Sequence, residues 1–360
     1  MKKYIPLFAR ISILLAALSL IVYFAAMCSF DFADRVNETV GVAVRFLLAR
    51  ASVFLPFSLF ELLIICSPLL LFLIIYFAIR RGADAVSRVR FIFSLIGVIS
   101  LIFTSYIYTL GIAYRTTGIS EKTGIREDTD ITEEELIYTV NTVLEEVNRL
   151  ASDFSLSNGE TRLSYSIGEL SERLVKAYGN MISEYPILTN YESKVKPVYF
   201  STVMSDLGIL GIYSFFTGEA NVNVEYPDYC LVFTAAHEMA HQRGVAKENE
   251  ANFTAFLVCI SSDDEYIRYA GYLNLYEYLV SALYRLNPEE YMSVSERLDE
   301  NARADIRAAN AVYKKHKDSI LVKINDRLND AYLKANGQDG VVSYNYVVKL
   351  AVGYFCKEEQ

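Results

Sequence analysis

Apolar positions change their pattern near residue 115. Before it they form unbroken runs; after it they recur with the period of a helix or a strand. Three runs, from about Ile11 to Cys28, Leu55 to Ile79 and Phe91 to Tyr114, reach the roughly 20 residues that a bilayer crossing requires. Between the first two, Val36 to Leu55 alternates apolar residues with Arg45 and Arg50, as expected of a helix lying in the membrane interface. The two arginines disfavour a fourth crossing. Polar residues 116–131 read as a linker. Thr132 and Glu135 then have capping-box spacing, and Leu136, Val140, Val143, Val147 and Leu150 follow at helical spacing. A second helix is expected from about Ser166 to Glu184, limited by Pro186. Ile212 to Thr217 and Ala220 to Tyr226 are short β-prone runs around Gly218 and Glu219, a hairpin on the simplest reading. From Leu231 the helical signal returns and persists. The expected fold class is therefore membrane-anchored α+β. Residues 1–115 form a membrane domain with three transmembrane helices, and residues 132–360 a mostly α-helical extracytoplasmic domain with a small β-sheet.

Charge sharpens the division. The chain carries a net −9. Residues 1–115 hold 11 basic and 5 acidic side chains, a net +6, which leaves −15 for the remainder. Such an acidic domain has little with which to neutralise phosphates, so nucleic acid is not an expected partner. Lys2, Lys3 and Arg10 precede the first run, and Arg80, Arg81, Arg88 and Arg90 crowd around the short connection between the second and third. Basic residues in short loops mark the cytoplasmic side. The N-terminus is thus expected inside, and everything after Arg115 outside, the cytoplasmic membrane. The first run also has the makings of a signal peptide, but its retention as a span is preferred. Glu61 lies near the expected outer edge of the second run, where an interfacial carboxylate is the natural reading. Five scattered cysteines with no CxxC spacing argue for buried thiols.

One stretch carries chemistry: Ala236-His237-Glu238-Met239-Ala240-His241-Gln242-Arg243-Gly244, continuing to Asn252. His237 and His241 are four apart, so on a helix both imidazoles project from one face and can grip a zinc ion. Glu238 adjoins the first histidine, where a carboxylate can act as general base. Catalytic zinc normally has three protein ligands. Gly244 can end the first helix in a left-handed cap, and a second helix can then return Glu248 or Glu250 to the metal. Glu248 is the preferred third ligand, with Glu250 the substitute. The Glu248-Asn249-Glu250-Ala251-Asn252 stretch fits an ExxA[D/N] pattern, in which Ala251 lies where the helices touch and Asn252 can support a ligating histidine. Lys247 stands where metzincins place their third ligand, which excludes that class. His316, within Lys314-Lys315-His316-Lys317, reads as a solvated surface residue.

The stretch from His237 to Asn252, the Gly218-Glu219-Ala220-Asn221-Val222-Asn223 segment, and Asn336-Gly337-Gln338 with Ser343-Tyr344 resemble a family of uncharacterised bacterial multi-span membrane proteins with a zincin-like HExxH signature. The resemblance covers most of the chain. It implies a gluzincin-type fold and zinc peptidase activity, with a peptide or protein as substrate and the lipid bilayer as a further partner. In such folds an edge strand near the metal pairs with extended substrate. Asn221, Val222, Asn223 and Val224 are the candidate for that role, with an ordinary core hairpin as the rival. Intramembrane proteolysis is disfavoured because Asp228, Arg243 and Lys247 flank the motif. The alternative from another class is a catalytically inactive zincin-like receptor or sensor. The retained Glu238 argues against it, since a structural zinc needs no base.

Overall fold

The computed structural model describes residues 4–80, 84–126, 131–339 and 346–356. Lys2, Lys3, Arg81, Ser343, Tyr344 and the end of the expected linker, 127–130, lie outside them. The structure is mostly helical, with two small sheets.

Helix α1 (Leu7–Cys28) leads into α2 (Phe30–Val36), a π-helical turn (Asn37–Gly41) and α3 (Val42–Ser52). Helix α4 (Leu59–Arg80) has no buried residue. Helix α5 (Ala85–Tyr106) continues through a π turn (Ile107–Gly111) and a 3-10 turn to Arg115. Helix α1, helix α4 and the extended α5 are long and apolar enough to cross a membrane. Helices α1 and α5 pack closely where Gly97 meets Ala9; a Cβ at Gly97 would lie 2.9 Å from the Ala9 Cα. Helix α4 starts later than the apolar run suggests, because Ser58 caps it by accepting the Glu61 N–H at 3.0 Å.

Helix α3 corrects an expectation. Arg45 does not face a membrane interface: it is fully buried. Its guanidinium donates to Asn37 Oδ1 at 2.8 Å and to the carbonyls of Asn37, Tyr108 and Thr109 at 2.9–3.3 Å. A cation on an apolar helix face gives the same sequence pattern in either setting; here those oxygens take the place of headgroups and water. The expected linker is also folded. It contains α6 (Ile119–Thr123), and Ile119 and Ile125 join the main core.

The outer part opens with α7 (Glu133–Ala151), which has the expected capping box between Thr132 and Glu135. A short hairpin, β1 (Leu156–Ser157) and β2 (Glu160–Thr161), precedes α8 (Ile167–Glu184). Strand β3 (Val195–Val198), α9 (Ser201–Asp206), β4 (Gly211–Ser214) and β5 (Glu219–Asn223) come next. The rest is helical: α10 (Asp228–Arg243), α11 (Glu248–Ile260), α12 (Glu265–Leu286), α13 (Pro288–Glu296), α14 (Glu300–His316), α15 (Ile320–Ala335) and α16 (Val347–Phe355). The core lies between α7, α8, α10, α11, α12 and α16.

Strands β4 and β5 form the expected hairpin, with Gly211 opposite Val222. The sheet order is β3-β5-β4, and β5 also pairs in parallel with β3, Val195 opposite Ala220. This corrects the substrate-strand expectation. Asn221, Val222 and Asn223 belong to a central strand that is hydrogen-bonded on both sides and buried, and Val224 lies just beyond it. The edge strands are β3 and β4.

Candidate metal centre

Helix α10 enters from Pro227 and is buried along nearly its whole length. It ends at Gly244, whose φ of +99° is a left-handed cap. A Cβ at Gly244 would lie 2.4 Å from the Arg45 guanidinium, so glycine serves both the backbone and this close approach. Asn37 donates to the Gly244 carbonyl at 3.3 Å. Gln242 donates to the Gly218 carbonyl at 2.7 Å, and Tyr178 to the Ala236 carbonyl at 2.7 Å. Arg243, also buried, lies over the Tyr178 ring at 4.1 Å and donates to Tyr191 O at 2.9 Å. The end of α10 is thus held from the membrane half, the sheet and α8.

The turn after Gly244 starts α11, and this brings His237, His241 and Glu248 together, with one ligand atom from each within 4.8 Å of the others. Glu248 Oε2 lies 3.3 Å from His237 Nε2 and 3.6 Å from His241 Nε2. Donors about 2.0–2.2 Å from a tetrahedral zinc ion are separated by about 3.3–3.5 Å, so these residues fit the ion in donor type and in spacing. His241 Nδ1 lies 2.7 Å from the Val245 carbonyl. A carbonyl can only accept, so Nδ1 carries a proton, and Nε2 is the atom that faces the cluster. Burial opposes a charged imidazole here, but the adjacent Glu248 carboxylate overrides it and pushes His241 up to about 9. The histidines in turn overcome burial and hold Glu248 well below the usual carboxylate range. His237 Nδ1 is buried without a hydrogen-bond partner among the described residues.

Glu250 points elsewhere. It accepts from Lys247 Nζ at 2.9 Å and from the Ile119 N–H at the start of α6 at 3.3 Å. Asn252 lines the cavity; the expected bond to a ligating histidine is absent, since His241 uses a backbone carbonyl and His237 Nδ1 has no partner among the described residues. Glu238 is 5% exposed, its carboxyl is pushed up by burial, and it packs against β4. Gly211 permits that approach, since a Cβ there would come within 2.6 Å of Glu238 Oε1.

The cluster opens into a cavity of about 680 Å³. Leu110 and Tyr114 at the end of the third span form one wall, β4 a second, and Asn329 and Tyr332 of α15 a third. The sequence places α15 within its helical region but does not show it as a cavity wall, and it singles out none of these tyrosines. Four of the 27 tyrosines in the chain, Tyr114, Tyr213, Tyr278 and Tyr332, line the cavity. Burial pushes the hydroxyls of Tyr278 and Tyr332 up, so both keep their protons at neutral pH.

His316 lies outside this cavity and is not solvated. At 5% exposure it is held between Asp206 Oδ1 at 2.7 Å and Glu225 Oε1 at 3.1 Å, fastening α14 to α9. Glu61 accepts the N–H groups of Tyr199 and Phe200 at 3.0 and 2.8 Å, while Glu219 accepts those of Leu59 and Phe60 at 3.0 and 2.8 Å. This reciprocal capping joins the outer end of α4 to the sheet.

These features define a helical protein with three apolar helices suited to a bilayer and a His-His-Glu cluster near one end of them. The chain belongs to the DUF3810 family, described as a protein of unknown function, whose model matches residues 38–352. No curated protein and no solved structure matches the chain.

Proposed function

We propose that this protein is a membrane-anchored zinc-dependent metallopeptidase of gluzincin type. On this reading it hydrolyses peptide bonds outside the bacterial cytoplasmic membrane. The observation that carries the reading is the convergence of His237, His241 and Glu248 beside a buried Glu238 at the floor of an open cavity. A purely structural site has no need of that fourth group or of the cavity.

His237, His241 and Glu248 would hold the ion. Bound zinc supplies Lewis acidity, bringing the pKa of a water down to about 7 and polarising a carbonyl. Glu238 takes a proton at its carboxylate and returns it to the departing amine. Packing against β4 at Gly211 holds this carboxylate in place. The protonated hydroxyls of Tyr278 and Tyr332 are donors for a carbonyl oxygen that gains charge. The edge strand β4, rather than β5, offers unpaired backbone groups to an extended peptide.

The test compares wild type with Glu238→Gln on a fluorogenic peptide library, with zinc content measured in parallel. The expected result is unchanged zinc and at least a ~100-fold loss of hydrolysis. Hydrolysis unaffected by the substitution would overturn the mechanism. Bound zinc without hydrolysis in the wild type would favour the receptor reading.

A further inference from the structure

Helix α15 is the most loosely embedded wall of the metal cavity. Only Leu333 along it is buried, yet Asn329 and Tyr332 face the cavity. Both its ends rest on residues tied to the spans. Near its start, Val322 lies beside Gly208, just after α9, and the residues leading into α9 are the ones bound to Glu61 of α4. At its far end, Asn336 Oδ1 accepts from Tyr106 of α5 at 2.7 Å, and the Tyr332 hydroxyl lies 3.4 Å from that of Tyr114. The helix therefore bridges the outer ends of α4 and α5.

The depth of this bridge follows from helix geometry. Leu110 lies about 30 Å along the third span from Phe91 at 1.5 Å per residue, which matches the hydrocarbon thickness of about 30 Å. The cavity wall that Leu110 forms thus lies where the span leaves the bilayer. Along α15, Ile320 (71%), Ile324 and Leu328 (66%) are exposed four residues apart on one face, with Leu328 also at the edge of the cavity. Phe200 and Val203 at α9 are exposed as well. Lys323 and Arg327 are exposed beside the apolar stripe. An apolar face flanked by basic side chains is what an interfacial helix presents to lipid.

We propose that α15, with Phe200 and Val203, lies in the surface layer of the same bilayer that α1, α4 and α5 cross. The occupant of this apolar face is lipid, because both ends of the helix rest on residues tied to the ends of the spans. One wall of the metal cavity is then a lipid-bound helix, and the cavity receives chain from the bilayer surface. Resting on the peptidase reading, the substrate class is a polypeptide segment held at that surface, either where a spanning chain emerges or beside a lipid anchor.

The chain contains no tryptophan, so an introduced indole reports alone. Ile324→Trp, Leu328→Trp and, as reference, Tyr138→Trp on α7 are each placed in the full-length protein. Each variant is reconstituted in phosphatidylcholine vesicles with or without dibrominated acyl chains. Bromine should quench emission about twofold or more at 324 and 328, an interfacial helix lying about 5–10 Å deep, and leave 138 unchanged. Full emission at both α15 positions in brominated vesicles overturns the proposal, whether the indole reads as water-exposed or as covered by protein. Quenching requires neither zinc nor hydrolysis, so failure here leaves the peptidase reading standing, and failure of that reading leaves this one.

Discussion

Helices α10 and α15 flank the same cavity and are built in opposite ways. Almost every residue of α10 is buried, and its end is tied by bonds to Asn37, Tyr178 and Gly218 and packed against Arg45 of α3. Helix α15 buries one residue and touches the body mainly at its ends. The contrast separates two tasks. A cluster of three ligands must be held to a fraction of an ångström, which needs rigid elements and satisfied buried polar groups. A wall that admits a chain must give way, and such elements come from the less stable parts of a fold.

The largest expected effect breaks the rigid side. Arg45→Ala leaves the Tyr108 and Thr109 carbonyls without their donor and opens a cavity beside Gly244, so unfolding in detergent should cost about 3 kcal/mol less. Gly244→Ala, which forces a Cβ into the same guanidinium at positive φ, should cost about 1–3 kcal/mol. Thermal melts followed by circular dichroism read both, and a melt unchanged by either would refute the claim that α3 holds the site.

A smaller effect concerns α14 and α9. His316 is raised above 6.5, first by the hydrogen bond to Asp206, against some desolvation, and also by Glu225. A raised histidine contributes stability that is fully present below its unfolded pKa and is lost as pH rises through the folded value. Wild type should therefore lose about 1 kcal/mol between pH 6 and alkaline pH, and His316→Ala should flatten that slope. A slope equal in both proteins would remove His316 from the account. Least affected is the loose side: Ile324→Ser or Leu328→Ser should move the detergent melt by no more than about 0.5 kcal/mol, because both side chains are already exposed. A large loss would show that α15 is packed after all.

Much of the local structure was legible in the sequence, because it depends on near neighbours. The three apolar runs, the Thr132 and Glu135 cap, the helix ending at Glu184 and the hairpin around Gly218 all follow from periodicity and turn chemistry. The left-handed break at Gly244 and the grouping of Glu248 with the two histidines belong here too. What escaped depends on distant partners. The parallel pairing of β3 with β5 turned an expected edge strand into a central one. Four oxygens around Arg45 buried a cation that its own segment places at a membrane surface. Lys247 and the Ile119 N–H claimed Glu250, a choice that spacing alone leaves open. His316 found two carboxylates on other elements.

Metal content tests the proposed centre most directly. The full-length protein, purified in detergent, is compared by mass spectrometry with His237→Ala, His241→Ala, Glu248→Ala and Glu250→Ala. About one zinc per chain is expected in wild type and in the Glu250 variant, with loss in the other three while their helical signal is retained. Absence of zinc from wild type after supply at neutral pH would contradict the proposal, as would zinc retained when Glu248 is replaced and lost when Glu250 is.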